Sequence, residues 1–291
     1  MRVVNSQWYR CIVVRVGAPS GPRPWPWLSS FLRSSRQRSH LSLRAVAGLL
    51  AGHFGLGGRI VIVPALLFLY LRQGFTTELC MHLAVGSSLA TVVFTSITSA
   101  TAHHRHGALR WPVVRRLWPG IVAGTALGAV LAEHAPGRFL RVFFGLFELL
   151  IAAQLALAPR PDAHRDLPGT GAMWLVGTGI GALSTLLGIG GGTLTVPLLV
   201  YCNVPIHQAV GTSAACGLPI ALVGAIGFAV AGWGEAGLPA GSSGYLYWPA
   251  VAAGSAFLTP LGARLAHALP VAALRRLFAV VVALIGVRML V

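Results

Sequence analysis

The residues that could hold a solute are concentrated in two glycine-rich stretches. Gly188 to Leu199 reads Gly-Ile-Gly-Gly-Gly-Thr-Leu-Thr-Val-Pro-Leu-Leu, and Gly55 to Leu66 reads Gly-Leu-Gly-Gly-Arg-Ile-Val-Ile-Val-Pro-Ala-Leu. Six of the twelve aligned positions are identical. Both stretches lie inside runs greasy enough to span a bilayer. Glycine inside a helix costs about 1 kcal/mol relative to alanine, so three glycines followed by proline predict a broken helix. In hydrocarbon, an unwound segment is tolerated only where protein or a water-filled cavity satisfies its backbone. The break exposes N–H groups at the start of the next half-helix, where the helix dipole favours negative charge. The chemistry this predicts is anion binding by the amides of Gly57, Gly58, Gly190, Gly191 and Gly192. The hydroxyls of Thr193 and Thr195 stand just past the second break. Close helix packing through small residues is the competing reading of one such motif. Its recurrence in a second half favours a transport site.

A second repeated motif opens the next helix in each half. Ala84-Val-Gly-Ser-Ser-Leu-Ala matches Ala209-Val-Gly-Thr-Ser-Ala-Ala at five of seven positions. It adds Ser88, Thr212 and Ser213 as candidate hydroxyl ligands. Ser88, Thr91, Thr95 and Thr98 follow one another at helical spacing and share a face. That stripe either lines a path or bonds a neighbouring helix. Two charges fall within apolar runs. Arg59 stands where the second copy has Gly192, and Glu148 stands where it has Val282. Intramembrane charges are costly and point to function. Arg59 is therefore expected to face the anion or to meet Glu148, with Glu148 as the candidate for a coupled proton; the alternative reading is that Arg59 snorkels through a kinked helix and Glu148 lies near an interface. The His103-His104-x-His106 cluster has no acidic or cysteine neighbour in sequence, so a solvated loop is expected there and no metal. No set of catalytic residues and no cofactor motif is found.

These residues must be positioned by membrane helices. Of 291 residues, 55% are hydrophobic and 10% charged, with a mean hydropathy of +0.75. Apolar runs of about 20 residues, each long enough to cross a bilayer, recur from position 45 to the C-terminus. The net charge of +16 comes from arginine alone. In a membrane protein such charge reads as cytoplasmic loop bias and not as nucleic-acid binding. The four cysteines are scattered and read as packing residues. Spans are expected near 45–71, 82–102, 113–133, 138–157, 172–201, 208–231, 246–267 and 271–291. This gives an all-α polytopic membrane protein of two homologous four-helix repeats, 44–158 and 171–291, joined by a linker at 159–170. Trp118-Pro119 is paired with Trp248-Pro249 in this alignment. Residues 1–43 are basic and read as a disordered tail or an extension from a misassigned start. With eight crossings the arginines favour the side of the N-terminus, but after Asp166 the bias reverses. A glycine segment that re-enters without crossing would change the count, and the parity of crossings decides between parallel and inverted copies.

The ordered set of motifs resembles the sulfite exporter TauE/SafE family of bacterial inner-membrane permeases. The likeness rests on Gly-x-Gly-Gly-Gly-x-x-x-x-Pro-x-Leu at 188–199 and Ala-Val-Gly-Thr-Ser at 209–213. It also rests on His104-Arg-His-Gly-Ala-Leu-Arg-Trp before the third span. It covers residues 45 to 291. The resemblance implies a multi-pass permease in the bacterial inner membrane that moves sulfite, another sulfur oxyanion or an organosulfonate by alternating access. Its partners would be a small anion and the bilayer, with self-association left open. A metal-ion transporter and a membrane-embedded enzyme or assembly factor are the rival classes. The first would favour inward Asp, Glu, Met or His, and the second paired carboxylates or a His/Cys/Ser set.

Overall fold

The computed structural model describes residues 58–157, 167–253 and 271–290, with side chains for 62–154, 167–252 and 279–290. The expectations for the tail, Gly57, most of the linker and most of the seventh span lie outside these residues, as does the Arg59 side chain. All described residues belong to one unit, Ser42–Val291. Its helices are α1 (Gly58–Arg72), α2 (Thr77–Arg105), α3 (Trp111–His134) and α4 (Gly137–Leu157). After the linker come α5 (Thr170–Leu187), α6 (Gly192–Tyr201) and α7 (Ile206–Ala231). A two-residue hairpin pairs β1 (Ser242–Ser243) with β2 (Leu246–Tyr247), and α8 (Trp248–Ala253) and α9 (Val271–Leu290) follow. Among the described residues α2, α5 and α7 are long and apolar enough to cross a membrane.

Close backbone approaches fix the direction of each helix. An ideal Cβ on Gly86 would lie 3.1 Å from Phe228 Cβ, and one on Gly224 3.0 Å from Leu89. Residue numbers rise on α2 as they fall on α7, so the two are antiparallel. His82 Nε2 lies 3.0 Å from Ala132 O, which sets the end of α3 beside the start of α2. Glycines at 120, 124 and 128 meet Trp174, Thr178 and Ala182 in turn, so α3 and α5 run parallel. Gly191, at the start of α6, packs on Ile220, while the far end of α6 connects to the start of α7 through a short turn. The helices α6 and α7 are therefore antiparallel.

One consequence corrects an expectation. Since α2 opposes α3 and α7, and α5 follows α3, α5 and α7 point the same way. The helix α6 points the other way. The segment 172–201 is thus not one crossing with a flaw in it. It descends as α5, reverses at Gly188–Gly191 and returns as α6. Hydropathy cannot see this, because both arms are apolar. The 18 residues of α5 span about 27 Å. Ser88, near the middle of the 29-residue α2, touches the reversal at Gly188.

The reversal is held by an α3–α5 seam of small residues. Gly120, Gly124 and Gly128 face Gly177 and Gly181, and a side chain at Gly124 would collide with the Thr178 backbone. Lipid tails supply no hydrophobic drive between helices, so such close packing carries the association. The opposite faces present Leu127, Val130 and Leu131 on α3 and Leu175 on α5, all exposed, as lipid-facing positions require. Gly124→Ala is expected to lower stability by about 1–3 kcal/mol, the usual cost of overpacking. Gly179→Ala, on the open side of α5 with nothing within 4 Å, should leave it unchanged or raise it by up to about 1 kcal/mol. Thermal unfolding in detergent checks both.

Candidate functional site

The reversal is built by glycines in the left-handed region. Gly188 (φ 67°, ψ 22°) ends α5. Its amide donates to Thr185 O at 3.2 Å and that of Ile189 to Ser184 O at 3.1 Å, a Schellman closure of the helix. Gly190 has φ 28° and Gly191 φ 74°. An L side chain in this region costs roughly 1–2 kcal/mol. The repeat counterparts of these three, at 55, 57 and 58, are all glycine. Gly192 begins the helix α6 and is not among the positive-φ glycines, so its backbone conformation does not require glycine. That is where the first copy carries Arg59.

The amides at this turn are largely committed. Gly192 donates to Gly190 O at 3.0 Å, and Leu194 and Thr195 donate to Gly191 O at 3.2 and 2.9 Å. Ser88 Oγ donates to Gly188 O at 2.8 Å, so this candidate does reach the break. Thr193 is half-buried in the first turn of α6. Two further buried hydroxyls, Ser184 Oγ and Thr195 Oγ1, have no hydrogen-bond partner among the described residues. An ideal Cβ on Gly191 would lie 3.8 Å from the first and 3.7 Å from the second. Ser184 carries no motif and repeats nowhere, which is why the sequence does not single it out.

The other candidates are placed elsewhere. Thr212 Oγ1 accepts the Arg110 amide at 3.1 Å, and Ser213 donates to Val210 O at 2.9 Å. The Ala-Val-Gly-[Ser/Thr]-Ser motif acts as a clamp. Gly86 admits the Tyr245 carbonyl, and Ser87 Oγ accepts the Tyr247 amide at 3.0 Å. Gly211 admits the Ala108 carbonyl, and Thr212 holds Arg110. The clamped segments are Gly107-Ala-Leu-Arg-Trp-Pro and Gly244-Tyr-Leu-Tyr-Trp-Pro, whose first glycines have φ 65° and 57°. The structural counterpart of Trp248-Pro249 is therefore Trp111-Pro112 and not Trp118-Pro119. This second Gly-x-Leu-x-Trp-Pro recurrence was legible in the sequence.

The hydroxyl stripe divides along its length. Ser88 and Thr91 are buried, whereas Thr98 is exposed. Thr91, Thr95 and Thr98 bond carbonyls of their own helix. Glu148 is fully buried on the face of α4 that carries Phe144 and Ile151, and neither of its oxygens has a partner among the described residues. Cys80, Cys202 and Cys216 are buried free thiols. His104 packs edge-on against Trp111, ring centroids 5.7 Å apart.

Apolar helices with lipid-facing outer sides, and a glycine-built reversal between them, define a helical membrane protein of the transporter class. The match with known proteins narrows this. Residues 41–289 fit the model of the sulfite exporter TauE/SafE family, and the chain belongs to that family. A probable membrane transporter protein of Haemophilus influenzae is 36% identical over 253 residues, covering 86% of this chain and 96% of the relative. The probable membrane transporter protein YunE of Bacillus subtilis is 27% identical over 268 residues, covering 85% and 95%. MJ0441 of Methanocaldococcus jannaschii, also a probable membrane transporter protein, is 27% identical over 206 residues, covering 69% and 72%. No solved structure matches the chain.

The clamp makes its own prediction. Ser87→Ala leaves the Tyr70 hydroxyl and the Tyr247 amide, both bonded to Ser87 Oγ, without an acceptor. Each orphaned buried group costs about 1–3 kcal/mol, so the melting temperature in detergent should fall. Thr95→Ala, whose hydroxyl only returns to Val92 O, should stay within about 0.5 kcal/mol of the parent.

Proposed function

We propose that this protein moves a small anion across the bacterial inner membrane by alternating access, with sulfite or a related sulfur oxyanion or organosulfonate as substrate. The observation that carries the reading is the chain reversal at Gly188–Gly191, beside the middle of α2. Irregular backbone at membrane depth survives only where protein or an aqueous cavity covers it, and half-helix N-termini there favour an anion. The glycines at 57, 58 and 190–192, with Ser88 and Thr193, are the substrate-binding residues assigned by this reading. Thr212 and Ser213 fix the scaffold. Family membership and the transporter relatives support a solute path, and the donors at the reversal favour an anion over a cation.

The two halves, 44–158 and 171–291, are inverted copies. The antiparallel pairing of α2 with its counterpart α7 supports this. So does the reversal, which leaves three crossings in the second half and makes the parity odd. With 172–201 re-entering, the arginines at 105–116 and at 275–276 fall on one side, and Arg72, Arg138, Arg141 and Arg288 on the other. By the positive-inside rule the first side is cytoplasmic.

Arg59, in the first turn of α1, faces the substrate from the first half, and Glu148 carries a coupled proton. Counterflow in liposomes loaded with sulfite, sulfate, thiosulfate or a divalent metal tests the substrate. Saturable exchange of a sulfur oxyanion is expected, and saturable uptake of the metal alone overturns the reading. Arg59→Gly and Glu148→Gln should each slow exchange about tenfold, equivalent to about 1.4 kcal/mol. If both single variants run at the parent rate, neither residue has its assigned role.

A further inference from the structure

Four buried hydroxyls in the helices, those of Ser96, Thr125, Ser184 and Thr195, have no hydrogen-bond partner among the described residues, and Ser184 and Thr195 border one common point. A hydroxyl there usually donates back to its own helix. Thr91 donates to Ser87 O at 2.9 Å, Thr185 to Gly181 O at 2.8 Å and Ser213 to Val210 O at 2.9 Å. Ser184 and Thr195 do not, although both are fully buried and neither has a partner among the described residues. Such groups are rare in native structures because burial without a partner is costly. Here two of them border one point. Ser184 closes the last turn of α5, Thr195 stands in the first turns of α6, and both lie within 4 Å of where a Gly191 side chain would begin.

Several amides around them are already bonded. The amides of Gly192, Leu194 and Thr195 already bond the carbonyls of Gly190 and Gly191. The carbonyls of Gly188 and Ser184 already accept from Ser88 and Ile189. Among the side chains at this point, two hydroxyl hydrogens have no partner among the described residues, at the positive end of α6. That inventory suits an acceptor. A cation would need an array of free oxygens.

We propose that Ser184 Oγ and Thr195 Oγ1 donate hydrogen bonds to two oxygens of the transported oxyanion, seated against Gly191. This rests on the anion reading above and supplies the side chains that hold the substrate. It makes Gly191 the wall of the site: the end of the Ile220 side chain stands at this point and must swing aside to admit the anion, and a larger residue at 191 would take the same space. It also sets the substrate class as an oxyanion that offers two acceptors to neutral donors.

Sulfite counterflow and melting temperature of the full-length protein, its Ser184→Ala, Thr195→Val and Thr195→Ser variants test this. A hydrogen bond to a charged group is worth about a tenfold change or more in affinity. Ser184→Ala and Thr195→Val should each raise the half-saturating sulfite concentration about tenfold, while Thr195→Ser keeps the parent value. Both hydroxyl-free variants should melt no lower than the parent, because each replaces an unpartnered buried hydroxyl by an apolar group. Unchanged half-saturation in the Ala and Val variants overturns the assignment and leaves the anion reading standing. A fall in melting temperature that accompanies lost transport overturns it in favour of a structural role. A shift in sodium dependence alone overturns it in favour of a cation site. A parent protein that exchanges no oxyanion removes both the assignment and the reading beneath it.

Discussion

A chain that reverses inside a bilayer must satisfy its own polar backbone, because no water is there to do so. That constraint shapes everything near Gly188. The last carbonyls of α5 accept from Gly188 and Ile189, the first amides of α6 turn back onto Gly190 and Gly191, and Ser88 reaches across from α2 to cap Gly188. Only left-handed backbone folds the chain tightly enough for these bonds, which makes residues 188, 190 and 191 glycine for steric reasons. Once those bonds are made, two buried hydroxyls beside Gly191 remain without partners among the described residues.

The rest of the fold holds this turn in place. The glycine seam between α3 and α5 brings two backbones together and carries α5 to depth beside α3. The pairing of α2 with α7 provides the wall that Ser88 and Ile220 present to the reversal. At opposite ends of that pair, Gly86 and Gly211 admit a loop carbonyl and the next hydroxyl accepts a loop amide. The same device thus anchors the segment before α3 and the segment before α8. Packing of this kind replaces the hydrophobic drive that lipid cannot supply, and it explains why so many of the small residues face neighbouring helices.

Much of this was legible in the residues, for a physical reason. Apolar length and helix-breaking glycine are local properties, so α2, α3, α4 and α7 begin and end within a few residues of their expected bounds, and the break at 188–192 falls where the glycines are. Direction is not local. Nothing in the composition of 172–201 says that its two arms are antiparallel, since each arm faces a similar environment. The role of Ser87 and Thr212 was equally hidden, because their partners lie 160 and 102 residues away. Ser184 escaped for the opposite reason: its significance is the absence of a partner, and sequence carries no trace of that. The contrast between Arg59 and Gly192 was visible as an asymmetry, and the geometry explains why this one of the four glycines is free to be replaced. The glycines at 188, 190 and 191 adopt positive φ, while Gly192 opens an ordinary helix.

The account turns on where the substrate sits. Selenite shares the pyramidal oxyanion shape of sulfite and can be located by its anomalous scattering in crystals of the protein soaked at saturating concentration. A selenium peak within hydrogen-bonding reach of Ser184, Thr195 and Gly191 is the predicted result. A well-occupied peak elsewhere among the helices, with the Gly191 point empty, would contradict it.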